Sequence, residues 1–174
     1  MILKTAVNDR SQIYLVVSIG RQVLSVYHGD SHIKDYVVST AKNGIGSLEG
    51  SNCTPLGRHI IAKKIGQDMP INSVFVGRVP TGEIYDTKLG AAFPNRDWIL
   101  TRILWLAGCE VGVNQGNNEL GCCDTFSRYI YIHGTPDDEP MDAPLSHGCI
   151  RIRNDDIIML FEEVIEGTQV VIEA

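Results

Sequence analysis

A chain of 174 residues, 44% hydrophobic and 21% charged, has the size and make-up of one compact domain with its own core, so residues 1–174 are read as a single unit. Asp and Glu outnumber Lys and Arg by 21 to 15, a formal net charge of -6, which argues against a nucleic-acid binder because that needs a basic face. No apolar stretch approaches the roughly 18 residues that cross a bilayer, which argues against a spanning helix and a membrane partner.

The run Ile13 to Ile19 follows Asp9-Arg10 with no small-x-small cleavage pattern, so it reads as a strand and not as an export leader. The expectation is a cytoplasmic protein, or a periplasmic one if a leader precedes the sequence. From Ile13 to Thr40 three short alternating runs, separated at Gly20-Arg21 and Gly29-Asp30, predict three strands joined by tight turns. Residues 42–57, rich in Gly, Ser and Asn and ending Thr54-Pro55-Leu56-Gly57, predict an irregular loop before a strand over 58–65. A further strand is expected over 73–79, and 82–96 reads as loop.

The apolar run Trp98 to Leu106 suits a buried strand or a short helix; its Ile and Thr content favours the strand. Residues 109–127, with three glycines and three asparagines, read as a long loop and a candidate cover for a site. In Arg128 to His133 the alternation puts Tyr129, Tyr131 and His133 on one face and Ile130 and Ile132 on the other. After a loop over 135–145 comes SHGCIRIRN, where Cys149, Arg151 and Arg153 share a face. Asn154 suits an N-cap, with Asp155 and Asp156 at the positive end of a helix to about residue 165. Gly167 ends it, and a last strand follows. About eight strands and one helix predict a mainly β domain, a sandwich or barrel with the helix packed against it.

Five cysteines, at 53, 109, 122, 123 and 149, make an odd count without framework spacing, which suits a reducing compartment. No CxxC pair is present, so neither a metal nor any other cofactor is expected.

The chemistry concentrates at Ser146-His147-Gly148-Cys149. A cysteine becomes a nucleophile when positive charge, backbone donors or a base favours its thiolate. Cys149 has candidates for each: His133 at a strand end before Gly134, His147 two residues upstream, and Arg151 on its own face about 7 Å along the strand. Gly148 lets backbone come close to a substrate, so amides there could stabilise an oxyanion. The bland alternative, a buried small hydrophobe beside satisfied histidines, is weakened by the pairing of His-Gly-Cys with an upstream strand-end His-Gly.

Together His133-Gly134-Thr135, then Ser146-His147-Gly148-Cys149 with Arg151 and Asn154, and Thr54-Pro55-Leu56-Gly57 further back, resemble the L,D-transpeptidase catalytic domain (YkuD-like) family. The resemblance implies an acyl-enzyme mechanism on peptidoglycan stem peptides at the bond between an L-diamino acid and D-alanine. Cys149 would be the acylated residue and His133 its base, oriented by the carbonyl of Gly134, with the amides of Gly148 and Cys149 as oxyanion hole. Carbapenems would be covalent inhibitors. Arg151 is the residue expected on a substrate carboxylate, because guanidinium binds carboxylates bidentately, with a surface ion pair to one of the nearby acids as its alternative role. Ser146 and His147 are expected to shape the nucleophile turn, with Ser146 and Tyr131 also lining the substrate cleft.

Family members without a leader resemble L,D-carboxypeptidases that trim tetrapeptide during cell-wall recycling, so hydrolysis is expected over cross-linking. A papain-like protease would carry its motifs in the reverse order. The remaining alternative is a non-catalytic metal or peptidoglycan-binding module.

Overall fold

A computed structural model describes residues 12–174; the Asp9-Arg10 segment read against an export leader lies outside the described residues. The first three strands, β1 (Ile13–Ser18), β2 (Val23–His28) and β3 (Ser31–Ser39), form an antiparallel meander. Their alternation buries Leu15, Val17, Leu24, Val26, Tyr36 and Val38 in the main core. Then come β4 (Gly57–Ile65), β5 (Ser73–Val76), β6 (Val79–Ile84), helix α1 (Thr87–Ala92) and the long β7 (Ile99–Gly108). The two-residue strands β8 (Asn117–Asn118) and β9 (Gly121–Cys122) precede β10 (Tyr131–Gly134), β11 (Ile150–Ile152), helix α2 (Asn154–Glu163) and β12 (Gln169–Glu173).

The order β10-β11-β3-β2-β1-β12-β4-β7 closes on itself, because β7 also pairs with β10. The result is a mixed barrel, parallel at β1/β12 and β10/β11 and antiparallel at its other seams. Of sandwich and barrel, the barrel forms. The β5–β6 hairpin hangs from the far end of β7.

On α2, Ile157, Leu160, Phe161 and Val164 join the barrel residues in one core cluster, each worth about 2 kcal/mol of burial. This helix differs at both ends from its expected span. Arg153 occupies the cap position without a side-chain cap bond. Asn154 is already helical and buried, because its amide is claimed by the barrel: it accepts from Thr101 Oγ1 at 2.5 Å and donates to the Thr135 carbonyl at 2.7 Å. At the other end Ile165 lies past the helix, largely exposed.

Other differences are local. The strand expected over 73–79 is a hairpin, turned by Gly77 (φ 55) and Arg78 (φ 68), the mirror-image geometry that two-residue β-turns favour. Residues 82–96, read as loop, hold the end of β6 and α1, whose N-cap Asp86 accepts from the Leu89 amide at 2.7 Å. Tyr129 has a φ of 58 and precedes β10 instead of lying within it. No residue of the 109–127 segment lines the cleft that holds Cys149. Buried Asn114 donates to the carbonyls of Leu56 and Arg58 at 2.9 and 3.1 Å, which ties the loop to the start of β4. Neither helix is long and apolar enough to cross a membrane.

Candidate active site

Where the barrel closes, β10 and β11 run parallel and bring two distant pieces of sequence level: His133 is in register with Arg151, and Ile132 with Ile150. Cys149, just before β11, lies beside the start of β10. The Tyr131 amide donates to its sulfur at 3.3 Å, and the thiol in turn reaches the Tyr129 carbonyl at 3.4 Å.

The turn that delivers Cys149 is held from inside. Ser146 Oγ donates to the Cys149 carbonyl at 2.5 Å and accepts from the Gly148 amide at 3.2 Å. Gly148 has a φ of 127, and a Cβ there would stand 3.1 Å from Ile130 Cδ1 and 3.3 Å from the Cys53 carbonyl oxygen, so only glycine fits. Buried Thr54, in the Thr-Pro-x-Gly element, donates to the Gly148 carbonyl and accepts from the Ala41 amide, both at 3.0 Å. Two expectations change here. The Ser146 hydroxyl is spent on the turn, so Ser146 lines the cleft without a polar group to offer substrate. The Gly148 amide is engaged by that same hydroxyl, which leaves the Cys149 amide as the donor of the pair not held there.

His133 is buried. Its Nδ1 lies 2.7 Å from the Gly134 carbonyl oxygen, an acceptor, so Nδ1 carries the proton and Nε2 is left as the basic nitrogen. A Cβ on Gly134 would meet Asn154 Oδ1 at 2.5 Å and the Leu100 carbonyl oxygen at 2.6 Å. Burial holds the imidazole below its usual value, against the opposing pull of Asp97 and the Gly134 carbonyl and with Arg151 adding to the depression. Burial likewise pushes the Cys149 thiol up to about 12, only partly offset by the Tyr131 amide. Both shifts favour the uncharged forms, a thiol and a neutral imidazole, at neutral pH.

Cys149 and His133 open on one cleft of about 280 Å3, together with Ser146, Arg151, His147, Tyr129, Tyr131, Asp97 and Arg78. The acids here belong to the chain itself. Arg151 pairs with Asp97 at 3.0 Å and with Glu139 at 3.9 Å, so the guanidinium expected on a substrate carboxylate already has two. His147 is largely exposed, 3.8 Å from Asp97. Arg153, expected on the Cys149 face, instead donates to the carbonyls of Pro136 and Asp137, because β11 ends at Ile152. Tyr131 is buried, with its hydroxyl accepting from Arg78 at 3.0 Å. A smaller depression of about 150 Å3, walled by Glu49, Ser127 and Arg128, shares Tyr129 and His147 with the cleft.

Arg78 and Asp97 escape sequence reasoning because neither stands in a motif. The available sign for Arg78 was a Gly-Arg pair between the apolar Val74-Phe75-Val76 and Val79. All five cysteines are free thiols. Among the described residues, no group of three or more His, Cys, Asp or Glu side chains is gathered to hold a metal ion.

Residues 12–172 match the L,D-transpeptidase catalytic domain (YkuD) family. A segment of 55 residues, 31% of this chain, is 42% identical to 18% of a probable L,D-transpeptidase, YbiS, of Escherichia coli K12. A 48-residue segment is 42% identical to 27% of a putative L,D-transpeptidase, YqjB, of Bacillus subtilis 168. Among solved structures, L,D-transpeptidase 3 of Mycobacterium tuberculosis with a faropenem-derived adduct aligns with 94% of this chain and 60% of its own, at a TM-score of 0.56 and 16% identity. An L,D-transpeptidase of Mycobacterium smegmatis aligns over 94% of this chain and 59% of its own, at 0.55 and 17%. The matches thus span less than two thirds of these relatives' own length, and the structural ones share the fold.

Proposed function

This chain belongs to the L,D-transpeptidase catalytic domain family, and on that premise we propose that it is a cysteine acyl-transfer enzyme acting on peptidoglycan stem peptides. The observation that carries the reading is the shared cleft. A thiol and a buried imidazole with its tautomer set by Gly134 open on it from adjacent parallel strands.

In the proposed reaction His133 Nε2 takes the Cys149 proton as sulfur attacks the carbonyl of the L-diamino acid. The S–C bond forms, and the carbonyl oxygen gains negative charge facing the Cys149 amide; the Gly148 amide joins only if Ser146 releases it. Collapse breaks the C–N bond, and the proton held on His133 passes to the amine of the departing D-alanine. Water, deprotonated by His133, then attacks the thioester, the C–S bond breaks, and the thiol regains its proton. The carboxylate of an Asp is not needed, since a main-chain carbonyl orients the imidazole.

We assign the second half-reaction to hydrolysis, making the protein an L,D-carboxypeptidase that trims tetrapeptide to tripeptide in cell-wall recycling. A second reading, cross-linking by an L,D-transpeptidase, draws on the adjoining depression behind Tyr129 and His147, through which an acceptor amine could reach the thioester. Incubation with free tetrapeptide separates the two by mass spectrometry. Tripeptide plus free D-alanine is expected, and cross-linked dimer without tripeptide would overturn the assignment.

The compartment belongs to the same proposal. Recovery with the cytoplasmic fraction is expected, whereas a periplasmic protein with cross-linking activity would support the second reading. Carbapenems are proposed to acylate Cys149; the solved structure of the similar LdtMt1 is a complex with imipenem. A protein that takes up no acyl group from carbapenem or peptide would instead be a non-catalytic module.

A further inference from the structure

Arg78 stands at the tip of the β5–β6 hairpin, which reaches the cleft that holds Cys149. Its guanidinium lies over two rings, 4.8 Å from the centroid of Trp105 and 4.6 Å from that of Tyr129, and donates to the Tyr131 hydroxyl at 3.0 Å. These contacts fix the plane of the group without neutralising it. Among the described residues no carboxylate lies within ion-pair distance of Arg78, and its other side-chain N–H donors have no protein partner. Arg151 contrasts with it, since Asp97 and Glu139 already face that guanidinium. The cleft therefore contains two arginines, one compensated internally and one held ready by aromatic rings.

We propose that Arg78 binds a carboxylate of the peptide whose acyl group Cys149 accepts, and so selects acidic over amidated stem peptides. The inference rests on the proposed function. Tyr131 links the two ends of the arrangement, with its amide on the Cys149 sulfur and its hydroxyl on Arg78. A carboxylate on Arg78 would thus be linked to the attacking atom through one tyrosine with a hydrogen bond at each of its ends. That linkage suits an acid group on a residue next to the scissile carbonyl. Two sources fit, the terminal carboxylate of the departing residue and the carboxylate on the diamino acid side chain, and guanidinium would hold either through paired N–H bonds.

The test measures binding apart from turnover. Calorimetry on the Cys149→Ala protein would use free tetrapeptide, its terminal amide and the form amidated on the diamino acid. The free acid should bind about 10- to 100-fold more tightly than one of the two amides, which identifies the carboxylate. Adding Arg78→Gln should reduce that preference to within about twofold, and Arg78→Lys should restore part of it by returning the charge. In the active enzyme Arg78→Gln should raise KM and leave kcat nearly unchanged, the pattern of lost binding. Binding with the acid preference intact after Arg78→Gln would overturn the Arg78 assignment alone. If the peptide neither binds the Cys149→Ala protein nor is consumed by the active chain, the proposed function fails and the Arg78 assignment with it.

Discussion

The sulfur of Cys149 is held by the main chain of the segment that leads to His133: the Tyr131 amide donates to it at 3.3 Å and the Tyr129 carbonyl accepts from it at 3.4 Å. Both partners are neutral dipoles. They position the thiol while burial favours its protonated form, so in the proposed reaction the proton would pass to His133 at the moment of attack.

The pH profile should carry that signature. A depressed His133 is already a competent base in mildly acid solution, so kcat/KM should rise with pH through a single limb below the ordinary histidine value of 6.5 and then level off. No second limb is expected near 9, the ordinary cysteine value, because burial moves the thiol to about 12. A rate still climbing from pH 8 to 9 would show that thiolate formation in the free enzyme controls attack.

Replacing Cys149 with alanine should abolish both carbapenem labelling and peptide turnover. Intact-mass spectrometry after carbapenem treatment reads the first directly. An adduct that persists in this variant would place the nucleophile elsewhere, with exposed Cys109 and half-buried Cys53 and Cys122 the thiols to check by peptide mapping.

Gly134→Ala should be costly in both stability and rate. Its Cβ would press on Asn154 Oδ1 and the Leu100 carbonyl, and overpacking of this kind costs about 1–3 kcal/mol. The displaced Gly134 carbonyl would also release the His133 ring, so kcat should fall about 100-fold, within the range for losing a positioned acid-base group. Urea unfolding and steady-state rates separate the two effects.

Thr54→Val removes the hydroxyl that joins the Ala41 amide to the Gly148 carbonyl and leaves both without that partner inside the protein. A loss of about 2 kcal/mol is expected, the usual penalty for such orphaned groups. Thermal melting measures it, and Thr54→Ser, which keeps the hydroxyl, should recover most of it.

His59 predicts how stability varies with acid. It is buried between the Gly57 carbonyl and Thr125 Oγ1, and burial lowers it from 6.5 to about 4. Below 6.5 the unfolded chain takes up this proton while the folded one resists until about 4. Stability is therefore full above 6.5 and declines as pH falls through that window, by about 3 kcal/mol from this group. Urea melts at pH 7 and pH 4 should show a shallower decline in His59→Gln.

The parts of the fold that could be read in the sequence are those where burial leaves a mark. In β1 to β4, β7 and β12 one side of each strand meets the core, and alternating or continuous apolar residues record it. By contrast β6 is exposed almost throughout and α1 buries no residue, so neither carries a periodic pattern. The same distinction holds at the site. Cys149 and His133 stand in motifs tied to tight turns, where Gly148 and Gly134 are required by backbone and side-chain crowding. Arg78 and Asp97 reach the cleft only because the hairpin and the start of β7 are folded toward it, whereas for Arg151 a nearby acid is already the rival to a substrate carboxylate, and Asp97 and Glu139 take that place.

Closure of the barrel has a consequence for the protein's dealings with other molecules. Each of the eight ring strands has neighbours on both sides, but β11 pairs with only Val38 and Ser39 of β3, whose remaining open edge carries the charged Lys34 and Asp35; the other open row of backbone groups among the longer strands described is that of β6. That row is poorly suited to recruiting a foreign strand. Pro80 has no N–H to contribute, and Gly82, at a φ of 85, breaks the flat outline a partner would have to follow. A chain whose reactive seam depends on strand pairing thus offers little purchase for strand exchange with its neighbours, and concentrated solutions should stay free of sheet-like aggregates.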